Sequence, residues 1–335
     1  MKKIILGAFC MLLCFLATQP QAQAARTLHM ALGDPENSEM GVVGRAFKQY
    51  VEEKSNGAIL VDLHYAGSLG DESFTVQSVG MGTLDLSMAG IANVAPHVHQ
   101  LGILTLPYLF DNIDEVVAAT TGAPAELLNS YAIQAGFRIL AWTYTDYRYI
   151  SNSKRPITTL ADMQGLKFRV PQNSVLVETY KAFGAKPVPI AWNDTYAALE
   201  TGFVDGQCYG YIGFRAMNFQ AAGQKYITEA HYTYQLQPLI MSAIAYHTFS
   251  QEERDIVKSA GKAAQEAGLA YVTGESEKAK IELEKNGIVV SRLQDEDAWK
   301  KTAVNEVWPK MATYVGGRRA INVFLQACGK KTWNP

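Results

Sequence analysis

Leu28-His29-Met30-Ala31-Leu32, closed by the turn Gly33-Asp34-Pro35, sets the fold class. Leu28, Met30 and Leu32 alternate with His29 and Ala31, the period of a strand with one buried face. A helix is expected from Asn37 or Ser38, because Met40, Val43, Phe47 and Val51 fall at helical spacing and Gly57 stops it. Ile59-Leu60-Val61-Asp62-Leu63-His64-Tyr65 reads as the next strand. A second helix runs from Gly70-Asp71-Glu72 to Gly82, and Leu84-Asp85-Leu86-Ser87-Met88 is a third strand. Strand, helix, strand in this rhythm predicts an α/β fold with parallel pairing.

The rhythm continues outward. A helix over 113–135 precedes a strand from Phe137 to Trp142. Tyr147-Arg148-Tyr149-Ile150-Ser151 and Lys167-Phe168-Arg169-Val170 read as strands, and Ser174 to Phe183 as a helix. Lys186 to Pro189 is a short strand, and Asn193 or Asp194 caps a helix through Glu200. Val204 to Gln207 and Leu239 to Tyr246 are further apolar runs. There is no internal repeat and no flexible linker, so two domains would be joined by several short crossings. Ser250-Gln251-Glu252-Glu253 is a capping box, and about 35 residues without proline follow it. They form either one helix of roughly 50 Å, long enough to brace two lobes, or two helices broken near Gly274.

Composition sets the outer bounds. The 335 residues are 48% apolar, which supports a sizeable core and excludes a disordered chain. Thirty basic against 32 acidic residues leave no bulk field to draw nucleic acid or an anionic membrane. Lys2 and Lys3, the apolar stretch Ile4–Ala17 and the small-x-small triplet Ala22-Gln23-Ala24 have the form of an export signal cleaved after about Ala24. The apolar stretch is too short to span a bilayer. Cleavage removes Cys10 and Cys14 and leaves Cys208 and Cys328, one conceivable pair in an oxidising compartment. The expected protein is exported and free of the membrane.

Enzyme signatures are weak. Walker, GxSxG, CxxC and HExxH patterns are missing, and two SxxK matches (Ser151–Lys154 and Ser259–Lys262) lack their supporting elements. His97-Val98-His99 has no third metal ligand at useful spacing. Two arginines carry more information. In Gly165-Leu166-Lys167-Phe168-Arg169-Val170-Pro171, alternation puts Lys167 and Arg169 on one face, and Pro171 ends the strand just past Arg169. A guanidinium at the carboxyl end of a strand sits where α/β sheets bind ligands, and its planar fork suits a carboxylate. Arg148, between Tyr147 and Tyr149, is a second candidate. Spacing alone favours the plainer reading, two solvated or salt-bridged arginines.

Taken in order, these segments resemble the extracytoplasmic solute-binding subunits of tripartite ATP-independent periplasmic (TRAP) transporters, the DctP-like family. Gly70-Asp71-Glu72 with Gln77, Gly82-Thr83-Leu84-Asp85-Leu86 and Leu106-Pro107-Tyr108-Leu109-Phe110 carry the likeness in the first part. Arg148, Asp162–Pro171, Gly184–Pro189, Tyr196–Gly202, Val204-Asp205-Gly206-Gln207, Gln224–Thr228 and His231 carry it through the rest. The resemblance implies a type II-like periplasmic binding protein, and the periplasmic location follows only from it. Its expected lobes are 25–145 with 235–275, and 146–234 with 276–335, with a long helix spanning both. It implies no catalysis, cofactor or metal, an organic acid as ligand, membrane permease subunits as partners and a monomer in solution.

The same resemblance makes Arg169 the principal carboxylate-binding residue, Arg148 its assistant and Trp192 an aromatic wall of the cleft. The chain also departs from the family. After Asp-Gly-Gln the family usually continues Glu-Asn-Pro, the Asn touching ligand, whereas here Cys208, Tyr209 and Gly210 follow. Gly90 stands where sialic-acid-type members carry a carboxylate. Sialic acid and C4-dicarboxylates are therefore not carried over to this chain. Tyr209, with Tyr144, Tyr147, Tyr211, Tyr232 and Tyr234 near in sequence, suggests an aromatic-rich cleft, either stacking on an aromatic acid or filling space around a small carboxylate or sulfonate. A secreted α/β enzyme acting on a carboxylate, or a sensor-linked binding protein, is the alternative.

Overall fold

The opening strand forms as Arg26–Leu32 (β1), and Ser38 caps the helix Glu39–Lys54 by accepting from the Gly41 amide, as the spacing predicts. The computed structural model describes residues 25–335, so the export-signal reading of 1–24 lies outside the described residues. Ile59–His64 (β2) and Leu86–Met88 (β3) pair in parallel with β1 on either side. The helix between them, Glu72–Met81, is capped by Asp71 and stopped by left-handed Gly82.

The parallel expectation holds in part: the second sheet also contains parallel pairs, but strands that return between the sheets run antiparallel. Phe137–Tyr147 (β4), Ile150–Asn152 (β5), Lys167–Val170 (β6), Lys186–Pro189 (β7), Gly206–Cys208 (β8), Tyr226–Glu229 (β9), Tyr234–Ser242 (β10) and Val289–Arg292 (β11) complete two mixed sheets. The first has order β2-β1-β3-β10-β4 and the second β11-β9-β5-β8-β6-β7. β10 returns from the second sheet and therefore runs antiparallel to both β3 and β4. β5 likewise enters antiparallel to β8 and β9. Short crossings with no helix between them force these reversals.

Local readings are corrected in three places. The helix expected over 113–135 is two, Ile113–Ala119 and Gly122–Gln134, broken where Gly122 takes φ +56°. The strand read from Tyr147 to Ser151 is divided, with Tyr147 ending β4 and β5 starting at Ile150, so Arg148 lies in the crossing between the sheets. The run Leu239–Tyr246 is strand only to Ser242, whose hydroxyl caps the short helix Ala243–His247.

The long helix runs Gln251–Lys285 behind its capping box, with Thr273 (ψ 110°) and Gly274 (φ +83°) out of helical geometry. Both readings of this segment meet here, one continuous brace with a bend at the named glycine. Its first half buries Val257, Ala260 and Ala264 against Phe47, Val51, Leu239 and Met241 of the first sheet's layer. Its second half buries Ala279 and Leu283 with Phe214, Phe219 and Ile227 of the second. Gly261 permits the close approach, since a Cβ there would stand 2.4 Å from the Leu140 carbonyl oxygen. The opposite faces are covered by clusters around Leu101, Phe137 and Phe324, and around Phe168, Tyr180 and Trp299. Each sheet is thus the middle of three layers. Cys208 and Cys328 are both free thiols.

Candidate functional site

Strand ends converge where the two sheets face each other. Asp34 follows β1, Gly90 follows β3, Arg169 lies near the end of β6 and Tyr209 follows β8, while Arg148 sits in the crossing after β4. This is the carboxyl-end position at which α/β sheets place ligands.

The two cations of β6 share a face by alternation but differ in burial. Lys167 is exposed, whereas Arg169 is 1% exposed and lies over Trp192, its guanidinium carbon 5.3 Å from the ring centroid. Arg169 Nε donates to the Ile190 carbonyl at 3.0 Å, and its buried Nη2 has no partner. A buried donor left unpaired is costly, more so when charged. Arg148 is also buried but fully engaged. Its Nη2 donates to the Cys208 carbonyl (2.8 Å), Nε and Nη2 approach the Cys208 sulfur (3.4 and 3.3 Å), and Nη1 bonds Gln235. The fork open to an incoming anion belongs to Arg169.

Trp192 and Tyr209 form one wall, their rings stacked 4.9 Å apart. Asp34 clamps that wall from the first sheet: its Oδ1 accepts from Trp192 Nε1 and its Oδ2 from Tyr209 OH, both at 2.9 Å. Gln237 donates to the same tyrosine hydroxyl at 3.0 Å. Gly213 makes room for the ring, since a Cβ there would lie 1.4 Å from a Tyr209 carbon. Tyr209 therefore presents a filled wall, its stacking face already taken by Trp192. Cys208 lies beneath Arg148 with its sulfur against that guanidinium, which lowers the thiol pKa against the opposing effect of burial. Gly90 has no side chain to offer, but its amide donates to Glu72 Oε2 (3.1 Å), and Asn93 bonds the same oxygen. The Glu72 carboxylate thus stands beside position 90.

Burial, and then Arg148 nearby, bring Arg169 down to about 10, so it stays charged at neutral pH. Arg148 is held up by Cys208 and the surrounding tyrosines against its burial. Burial, then the Asp34 charge, pushes Glu72 up to about 7. The folded protein therefore holds the Glu72 proton more tightly than the unfolded chain, where the carboxyl titrates near 4.5. Its stabilising contribution is full below that value and is lost as pH rises through 7, a difference of up to about 3 kcal/mol. Asp34, Glu39 and Asp146, also raised by burial, act in the same direction. In Glu72→Gln the rise in urea midpoint on acidification from pH 7 to 5 should shrink; an unchanged pH profile would contradict this placement of Glu72.

The expected aromatic cleft is divided. Tyr232 is buried beside Tyr180, their hydroxyls 3.1 Å apart, and Tyr211 donates to Glu229. Tyr144, Tyr147 and Tyr234 line a separate cavity of about 320 Å³ with Tyr149 and Thr273, and neither arginine is among its lining residues. His97 and His99 diverge, the first bonding Ser73 and the second stacking on Tyr314, so they form no metal pair. Four site residues are not singled out by sequence reasoning: Asp34, Glu72, Gln235 and Gln237. For Asp34 the available signal is its position just past the end of β1; in Gly33-Asp34-Pro35 it reads only as a turn.

Two α/β sheets facing a cleft of buried arginines, braced by one helix, define a two-lobed binding protein of the periplasmic type. The chain belongs to the family described as bacterial extracellular solute-binding protein, family 7 (DctP), which matches residues 31–314. It is 24% identical over 285 residues to the 2,3-diketo-L-gulonate-binding periplasmic protein YiaO of Escherichia coli, covering 85% of this chain and 86% of that one. It superposes with TM-score 0.85 and 27% identity on a TRAP periplasmic solute-binding protein from Polaromonas sp. JS666 bound to D-erythronate, covering 89% and 98% of the two chains. A TRAP protein from Ralstonia eutropha with bound (S)-2-acetolactate gives 0.84 and 26%, covering 91% and 99%. Among the described residues, no helix is long and apolar enough to cross a membrane.

Proposed function

We propose that this protein captures a small organic acid anion in the periplasm, in the cleft between its sheets, and delivers it to TRAP membrane permease subunits without chemical change. The unpartnered, buried Nη2 of Arg169 carries this reading. A carboxylate there would complete a bidentate, charge-assisted pair. Arg148 is a supporting cation, and Trp192, Tyr209, Cys208 and Gly90 shape the pocket around it. The filled Trp192–Tyr209 wall favours compact hydroxy or oxo acids over an aromatic acid needing a free ring face. Compact acids of this kind, D-erythronate and 2-acetolactate, are bound by two of the similar structures. A thermal-shift panel tests the proposal: small 2-hydroxy and 2-oxo acids should raise the melting temperature, while neutral polyols and sialic acid should not. Stabilisation by polyols but by no acid would refute it.

Ligand entry requires the sheets to part. The recess beside Glu72, Asn93, Ala191 and Trp192 has a volume of about 10 Å³, room for about one water. The hinge lies where three passages gather: the crossing at Arg148-Tyr149, the one between β9 and β10, and the bend at Thr273-Gly274. Opening would break the bonds from Asp34 to Trp192 and Tyr209, and ligand would favour remaking them. Small-angle scattering should show a smaller radius of gyration at saturating ligand; identical profiles would point to a rigid, preclosed protein.

A further inference from the structure

On the outer face of the first sheet, far in sequence from either arginine, three metal-ligating side chains converge. His29 on β1 faces Asp62 on β2 in direct parallel register, and His64, two residues further along β2, projects from the same face. His29 Nδ1 lies 3.1 Å from His64 Nε2 and 3.7 Å from Asp62 Oδ2, and His64 Nε2 lies 3.4 Å from that same oxygen. We infer that His29, Asp62 and His64 form a surface site for one divalent late-transition-metal ion of the zinc class.

Geometry is the first support. Zinc bonds imidazole nitrogen and carboxylate oxygen at about 2.0–2.2 Å, so neighbouring ligand atoms of a tetrahedral ion are separated by about 3.3–3.5 Å. The three observed separations bracket that edge, and all three atoms can therefore reach one centre with small side-chain adjustments. A single proton shared between the two imidazoles satisfies only one of these three contacts; an ion satisfies all of them. Chemistry is the second. Two imidazoles and one carboxylate suit zinc, copper or nickel better than magnesium or calcium, which prefer all-oxygen shells. The triad leaves the remaining coordination positions to water, because its side chains are 51%, 56% and 25% exposed. Asp85 accepts the His29 amide at 2.9 Å and so helps to hold β1 at this point. Because β2 is an edge strand, the ion would tie the sheet's free margin to its neighbour.

The test uses the full mature protein stripped with chelator and titrated with Zn2+ by calorimetry, and with Co2+ by visible absorption. One equivalent should bind with a cobalt spectrum of low coordination number. His29→Ala, His64→Ala and Asp62→Asn should each weaken binding by at least about 10-fold. His29 and Asp62 are exposed and His64 is partly so, and the variants should keep the wild-type circular dichroism and chelator-treated melting temperature. Absence of binding to the wild type, or the same stoichiometry and affinity in the His29→Ala/His64→Ala double variant, would overturn the assignment.

Discussion

Arg169→Ala should lose about 2–5 kcal/mol of affinity for the bound acid, roughly 30- to 5,000-fold in Kd. Arg169 is buried, its Nε is anchored to Ile190, and its terminal Nη2 is unspent. Removing the fork leaves a ligand carboxylate facing Arg148, whose donors are committed to Cys208 and Gln235. Arg169→Lys should recover little, because an ammonium has neither the planar fork nor the reach to keep the Ile190 contact while pairing bidentately. Arg148→Lys should cost less than Arg169→Ala, since its role is to hold positive charge and the Cys208–Gln235 corner in place. Calorimetric titration of the three variants with one stabilising acid measures this order. Wild-type affinity in Arg169→Ala would remove Arg169 from the site.

Tyr209→Ala should combine the largest stability loss in the site with a change of selectivity. The ring is buried, stacked on Trp192, and fitted against Gly213, so truncation leaves a cavity costing about 3–5 kcal/mol. It also removes one of the two donors to Asp34 from the second sheet. Tyr209→Phe isolates that second effect: the ring stays, Asp34 Oδ2 loses its donor, and a cost of about 1–3 kcal/mol is expected. Urea denaturation reads both costs. In the thermal-shift panel, Tyr209→Ala should accept larger acids that the wild type excludes. Unaltered selectivity would mean that the ring does not bound the ligand.

Much of this architecture is legible along the chain because strong local signals agree with one another. The Ser38 and Asp71 caps, the Gly82 stop and the Ser250–Glu253 capping box mark helix ends that form as read. Alternation in Lys167–Val170 puts both cations on one face, and only the position of Arg169 at the carboxyl end of the strand marks it out; the burial that distinguishes it from exposed Lys167 comes from packing. What stayed hidden depends on return paths. Nothing local to Tyr234–Ser242 says that this strand leaves the second sheet and inserts antiparallel between β3 and β4. Gln235 and Gln237 reach the site only through that insertion, and so are invisible to spacing. Glu72 reads as the first residue of a helix, which it is; that its carboxylate stands at Gly90 follows only from the packing of that helix on β3. The tyrosines show the opposite error, since nearness in sequence gathers Tyr144, Tyr147 and Tyr234 into the arginine cleft, whereas they line a cavity in which Arg169 is not a lining residue.

The central claim is that the buried arginine pair recognises a carboxylate. It is tested most directly by titrating the protein with a matched pair of ligands, a small 2-hydroxy acid that stabilises it and the primary amide of the same acid. The two share size, shape and hydroxyl groups and differ in the anionic charge that Arg169 would pair. The account predicts saturable binding of the acid and a loss of at least about 30-fold for the amide, the lower bound for an unpaired buried cation. Equal affinity for acid and amide would contradict it.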